Sequence, residues 1–473
     1  MGREIPASHF QHTDFHQFER HMTGEMALLH EYFRNERFSM ADPCIGVELE
    51  LWLIDENGQP QPRNAELLSL LDSPDVVPEL ARFNIEFNVP YQKMTGAGLR
   101  TLERDLADIW RDTAATAASL DMQLLAIGVL PTIELSHLTL ATMSEMSRFR
   151  ALNEQIRRLR RGQPMHLSIH GEEELDVIQH DVMLEAAATS LQVHYQVPWT
   201  QAVRYYNAAT IASGPVLGIS ANSPFLFGRQ LWQESRVPLF ETAIDLGGPF
   251  PRVHFGSGYA LASLEEFFLE NRSCHAVLLP IELDEPPEML PHVRLHNGTI
   301  WRWNRPLIGF DVDGRPHLRI EHRVMPAGPS LLDMLANIAF ATGLIHFLST
   351  METPPESQLP FTQARQNFRS AARDGLSARQ VWLNGETLET RTLVEQLLPV
   401  AAEGLHMLEF DGEDIHRYLS VIAERVRTGQ NGAVWQTRFI RHHGRDLAAL
   451  TRTYAARQQT GIPVHEWGLS PPA

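Results

Sequence analysis

The 473-residue chain reads as an α+β protein built on one sheet, with one sheet face packed on helices and the other carrying chemistry. Two observations predict this. Four separate stretches alternate apolar and polar residues with a period of two, the mark of strands with one buried face. The polar positions of all four are dominated by Glu, His, Asn and Arg. A merely wet sheet face would mix Lys, Thr, Ser and Gln.

The first stretch is Cys44 to Asp55, where Ile45, Val47, Leu49, Leu51 and Leu53 alternate with Gly46, Glu48, Glu50 and Trp52. Carboxylates are poor strand formers, so two of them on one strand face call for a reason. In the second, Phe83, Ile85, Phe87 and Val89 alternate with Asn84, Glu86 and Asn88. In the third, Met165, Leu167 and Ile169 alternate with His166, Ser168 and His170. In the fourth, Leu318, Ile320 and Val324 share a strand with Arg319, Glu321 and Arg323. The shared polarity predicts strands 45–54, 83–89, 165–170 and 317–324 in one sheet, with Glu48, Glu50, Glu86, His166, Glu321 and Arg323 on one face.

The other elements are taken in chain order. Residues 1–40 read as a helical lead-in, with Phe15, Phe18, Met22, Met26, Leu29 and Phe33 three or four apart. A short helix fits 64–71, and a longer one fits Leu99 to Leu120. Leu124 to Val129 is a short apolar strand. Residues 144–160 are helical and basic, a pattern usual for a solvated face. Asp176 to Gln196 and Thr200 to Leu217 read as helices covering the apolar sheet face. The run His296-Asn297-Gly298 reads as a turn into a strand. A second turn at Asp313-Gly314 leads into 317–324, so these two strands are expected to be antiparallel neighbours. A long apolar helix fits 330–349. From Phe361 to Tyr454 the chain is mostly helical, broken at 428–435. The organisation expected is a lead-in over 1–40, an α+β catalytic domain over 41–350 and a C-terminal helical region over 351–473 packed on it.

Bulk composition excludes several classes. The net charge of −18 disfavours nucleic-acid or anionic-membrane binding, which needs a basic field. No run of eighteen apolar residues predicts a membrane span. The polar N-terminus lacks a signal core, and Cys44 and Cys274 form no disulfide framework, so a reducing cytoplasm is expected. Lys93 is the only lysine. A G-K-[ST] phosphate loop is therefore absent, and any phosphate chemistry falls to arginines and metal ions.

Glu48, Glu50, Glu86 and Glu321 on one face would repel one another and resist desolvation without counterions. Oxygen ligands suit Mg²⁺ or Mn²⁺, and His166 could complete a site. Arg302, Arg305, Arg319 and Arg323 fall on two neighbouring strands, and guanidinium forks grip phosphate oxygens. Metals with arginines are the recurring solution for phosphoryl transfer. Two blander readings stay open: His166 as a hydrogen-bonded edge histidine, and Arg319 and Arg323 as partners of the acidic residues.

Taken together, GVELE at 46–50, the IEFN strand, GQPMHLS at 162–168, ISANSPF at 219–225, IEHRV at 320–324, QNFRSAARDGL at 366–376 and RVRTGQNGAVWQ at 425–436 resemble the glutamate–cysteine ligase type 2 family, whose members are also called carboxylate–amine ligases. The resemblance spans about residues 44 to 440. It implies a glutamine-synthetase/guanido-kinase-like fold, a curved, mainly antiparallel sheet forming a funnel backed by helices. It also implies an ATP-dependent ligase that forms an amide bond through an acyl phosphate. The implied cofactors are ATP and Mg²⁺ or Mn²⁺, and the implied partners are small-molecule amino acids, with a homodimer allowed. By that resemblance Glu48, Glu50, Glu86, His166 and Glu321 hold metal. With the arginine cluster added to the resemblance, Arg302, Arg319, Arg323 and His166 are expected to bind the nucleotide, and Arg323, Glu86 and Arg305 to be catalytic. The chain departs from the family pattern at Ser168, at Ile127-Gly128-Val129 and around Trp301. Those departures leave a second reading, a catalytically idle ligase-fold protein that binds an amino acid or nucleotide.

Overall fold

The computed structural model describes Ile5 and residues 9–470. Most of the first eight residues of the expected lead-in lie outside the described residues. The rest of the lead-in forms one helix, His12–Arg34, which buries Phe18, Met22, Met26 and Leu29.

Nine strands position the site: β1 (Cys44–Ile54), β2 (Val76–Pro78), β3 (Asn84–Lys93), β4 (Gln123–Leu125), β5 (Met165–His170), β6 (Glu174–Gln179), β7 (Ser190–Val197), β8 (Asn304–Phe310) and β9 (Pro316–Pro326). Seven of them form one curled sheet in the order β8-β9-β7-β1-β3-β2, with β4 also paired to β1. Every pairing in it is antiparallel. β1, β3 and β9 fall where the alternation predicts, and β8 and β9 are the expected antiparallel neighbours.

Three expectations are corrected. The 165–170 strand does not join the sheet; β5 pairs with β6 in a separate hairpin. The segment 176–196 is not a helix but β6, a short 3₁₀ turn (Val182–Ala187) and β7, which lies between β1 and β9. Its alternation is as regular as that of β1, with Leu191, Val193, Tyr195 and Val197 on the apolar side and Gln192, His194 and Gln196 on the other. Almost every side chain is buried, so the polar positions of β7 face protein rather than open water. Finally, His296-Asn297-Gly298 is the last turn of a helix, Pro291–Gly298. Glu25 of the first helix accepts the free backbone N–H groups of His292 (2.8 Å) and Val293 (3.0 Å), a cap from a distant segment that local sequence cannot reveal.

Helix Ala202–Ser220 lies against β9 and is buried from Tyr205 through Ser220. Behind it packs Leu331–Thr350, which is long and apolar enough to cross a membrane; 78% of its most apolar window is buried in protein, which makes it a core helix. Helices Thr390–Met407 and Gly412–Thr428 cover that one, and Arg425 locks on by donating to Asp333 Oδ1 at 2.7 Å and Asn337 Oδ1 at 2.6 Å. Gly429 ends the helix in the left-handed region (φ 65°), and the Asn431 side chain caps the next by accepting from the Val434 N–H at 3.0 Å. The expected break at 428–435 is this stop and restart.

Candidate active site

Register brings the polar positions of five strands together. Glu48 of β1 sits opposite Gln192 of β7 and Asn88 of β3. Glu50 sits opposite Glu86, Gly46 opposite His194, and His194 in turn opposite Glu321, which faces Arg305. Because side chains alternate with a period of two, these pairings place all of them on the face away from the core helices.

At one end of the face the carboxylates are compensated. Arg305 donates to both oxygens of Glu321, at 2.7 and 2.8 Å, and Arg323 adds a contact at 3.2 Å, with Arg305 and Glu321 essentially inaccessible to solvent. Burial pushes the Glu321 carboxyl up, but these two guanidiniums and His194 outweigh it and hold it well below the usual carboxylate range. Burial likewise acts against Glu48, and the charge of His194 overrides it, bringing Glu48 down to about 2. His194 Nε2 lies 3.1 Å from Glu48 Oε1 and 3.8 Å from Glu321 Oε1, yet neither ring nitrogen completes a hydrogen bond among the described residues. Among those residues only Glu48, His194 and Glu321 bring three such ligand atoms within 4.8 Å of one another. A buried imidazole without hydrogen bonds, held against two carboxylates, fits a divalent cation.

At the other end the carboxylates lack such partners. Burial, then the charge of Glu79, pushes Glu50 up to about 7, against the pull of Arg323 and the Ser190 N–H. Burial and the charges of Glu48, Glu79 and Glu50 push Glu86 far up. Glu185, from the 182–187 turn, is raised in the same way by burial, Glu79 and Glu50. Glu79 is raised by burial although Arg148 opposes it, and its side chain reaches that of Glu86. Two carboxylates within hydrogen-bonding reach require a proton or a cation between them. This all-oxygen set suits a hard cation.

Between the two ends stands Gln192, buried, whose Nε2 donates to Glu50 Oε1 at 2.8 Å while its Oε1 accepts from Arg323 Nη1.

The structure thus brings together Glu48, Glu50, Glu86, Glu321, Arg305 and Arg323. Arg319 is on the same face one row from Glu321, opposite Gln196, with its Nε buried and unpartnered among the described residues. His166 lies outside the sheet, 59% exposed on the β5–β6 hairpin, with Nε2 2.7 Å from Asp176. The histidine on the sheet face is His194. Arg302 is also displaced: it is buried beneath Phe267, donating to Asn271 Oδ1 at 2.6 Å with Glu270 at 3.2 Å. It precedes β8 in a short parallel pairing with 253–254, and that change of partner takes it off the sheet face. The sequence reading missed Glu79, Glu185, Gln192 and His194. The alternation in SLQVHYQV could have found the last two.

A curled antiparallel sheet with carboxylates and arginines on its open face, backed by helices, is the framework of an ATP-dependent ligase that forms C–N bonds. The chain matches the model of glutamate–cysteine ligase family 2 over residues 44–452 and belongs to that family of ATP-dependent ligases. No protein of curated function matches it in sequence. In fold it is similar to the glutamate–cysteine ligase of Francisella tularensis, solved with AMP, at 10% identity and TM-score 0.56 over 92% of this chain and 91% of that one. It is also similar to a bifunctional glutathione synthetase from Pasteurella multocida, at 12% identity and TM-score 0.53, over 88% of this chain and 52% of that one.

Proposed function

We propose that the protein activates the carboxylate of a small acid with ATP, as an acyl phosphate, and joins it to the amine of an amino acid. The observation that carries this reading is the joint presence, on one sheet face, of a compensated Glu48–His194–Glu321 group and an uncompensated Glu50–Glu79–Glu86–Glu185 group, with Arg323 between them. A divalent cation in either group would neutralise phosphate charge in the transition state. Glu48, His194 and Glu321 would hold one, and Glu79 and Glu86, whose side chains reach each other, would share another. Arg323 presents its guanidinium to the phosphoryl group in transfer, the kind of fixed charge that lowers such a barrier most. Arg305, its fork occupied by Glu321, keeps that carboxylate ionised and aimed. Arg319, whose buried Nε has no partner among the described residues, is the best placed of the predicted nucleotide-binding arginines to meet an incoming anion. The AMP bound in the similar Francisella enzyme supports a nucleotide in this funnel. His166 and Arg302 carry no role in this reading.

The departure at Ser168 does not favour an idle protein, because that hairpin lies outside the sheet and His194 supplies the histidine. A cytoplasmic location and free amino-acid substrates accord with the composition. The test is phosphate release from ATP across a panel of amino acids with Mg²⁺ or Mn²⁺, with the product identified by mass. Release that requires one acid and one amine together, with loss of water between them, supports the ligase. ATP bound without turnover for any pair would support the idle alternative.

A further inference from the structure

Gln192 occupies a place that no charged residue could. Its amide lies between a carboxylate on β1 and a guanidinium on β9, the two strands that flank β7. The orientation of the amide is dictated. A carboxylate only accepts and a guanidinium only donates, so the NH₂ must face Glu50 and the oxygen must face Arg323. The second oxygen of Glu50 accepts the Ser190 N–H at 2.7 Å, from two residues earlier on the same strand. β7 therefore grips Glu50 at both oxygens with neutral donors and grips Arg323 with a neutral acceptor, beside the 3.2 Å contact of the same Nη1 with Glu321.

The alternative arrangement is a direct Glu50–Arg323 ion pair. Both groups are buried and each already feels the other's charge. In a poorly solvated site such a pair is strongly favoured once contact is made. It would neutralise Glu50 as a cation ligand and, since Glu321 already occupies one edge of Arg323, take up the donors that Arg323 has left for phosphate. Arg305 and Glu321, two strand positions away on the same face, show that outcome: with no spacer between them, they form a two-pronged pair.

We infer that Gln192 is a positioning residue, a neutral spacer that keeps Glu50 and Arg323 close but apart so that each stays open to its ligand. This rests on the ligase reading for what those ligands are, and on hydrogen bonds alone for the spacing. It predicts that any side chain with one donor and one acceptor of suitable reach will serve, and that an apolar side chain of equal volume will not.

The experiment compares wild type, Gln192→Met and Gln192→His. Met keeps the volume and removes both hydrogen bonds, whereas a neutral imidazole offers one N–H and one lone pair. Mn²⁺ affinity is measured by calorimetry, and kcat and the KM for ATP are measured separately. Gln192→Met should bind Mn²⁺ at least ~10-fold more weakly and lose ~100-fold in kcat, the scale of one misplaced electrostatic contact. Gln192→His should stay within about threefold of wild type in both, a rescue that a packing role would not give. Equal Mn²⁺ affinity in wild type and Gln192→Met, or no rescue by His, overturns the inference. Should the Mn²⁺ pattern hold in a protein that turns over no acid–amine pair, the ligase reading falls and the spacer stands. Should wild type turn over and Gln192→Met match it in rate and Mn²⁺ affinity, the spacer falls and the ligase reading stands.

Discussion

The two ends of the sheet face are made of the same residue and behave oppositely. Around Glu321 and Glu48 the carboxylates are held ionised, because Arg305, Arg323 and His194 return more than burial removes. Around Glu50, Glu86 and Glu185 burial and mutual repulsion win, and the carboxylates hold protons more tightly than they would in water. The difference lies in the neighbouring strand. β8 and β9 bring cations, whereas β3, β2 and the 182–187 turn bring further acids. At the first end the chain's own cations already hold the carboxylates ionised, ready to ligate. The second is built to be completed from outside, by protons or by a cation.

The sharpest way to break this contrast is one conservative substitution at each end. Glu321→Gln removes the charge that Arg305 and Arg323 share. It leaves a fully buried guanidinium without its carboxylate counter-charge, so we expect a loss of ~3–5 kcal/mol in chemical denaturation. Retained stability would mean that the pair is not what fixes this end.

Next in size are effects on rate. Arg323→Lys keeps the charge and loses the fork, and His194→Ala removes the imidazole held between Glu48 and Glu321. Each should lower kcat by ~100-fold, the scale of losing a placed electrostatic contact. His166→Ala, on the exposed hairpin, should leave kcat unchanged in the same assay. A large effect at His166 and none at His194 would return the site histidine to the 165–170 strand.

Glu86→Gln is the counterpart of Glu321→Gln and should have the opposite sign. The new amide can still accept from Asn88, which donates to Glu86 at 3.1 Å, and can now donate towards Glu79. In EDTA at pH 8 the variant should be more stable than wild type by ~1–2 kcal/mol, because a titratable carboxyl buried among other acids is gone. The same variant should require more Mg²⁺ for any activity. A destabilised Glu86→Gln in EDTA would show that this end is already compensated.

The pH dependence sharpens the point in wild type. Glu50 titrates near 7 in the folded protein, above its value of 4.5 when unfolded. The folded state therefore binds more protons across that interval, and metal-free stability falls as pH rises from about 4.5 to 7. Below 4.5 the contribution is fully present; above 7 it is gone. Melting in EDTA across pH 5 to 8 should show the decline, and Mn²⁺ should reverse it most at the alkaline end. The smallest expected effect is at Arg157, half-exposed in a loose pair with Glu154 at 3.6 Å. Its replacement by Ala should stay within about 0.5 kcal/mol and leave the rate alone. Arg160 is not an equivalent control, since only 12% of its side chain is exposed and it donates to the backbone of Pro164 and Asp245.

Period-two alternation alone marked β1, β3 and β9 and told which of their residues share a face, because a strand's two faces are a local consequence of its pleat. The choice of Glu and Arg on those faces was enough to point to metal-assisted phosphate chemistry. What local pattern could not tell for β7, which carries the same alternation, is that both its faces are buried and that it lies between β1 and β9. Nor could it tell that 165–170, with equal alternation, would pair with 174–179 instead: the pleat fixes which face a residue takes, but not which strand it pairs with. Glu79 and Glu185 carry no periodic signal at all. They become members of the site only because the fold places a short edge strand and a 3₁₀ turn beside Glu50 and Glu86. The same holds for the charge on each carboxylate. The sequence supplied identical side chains, and only tertiary packing, by setting which cations lie within reach and how much water is excluded, decided which of them stay ionised.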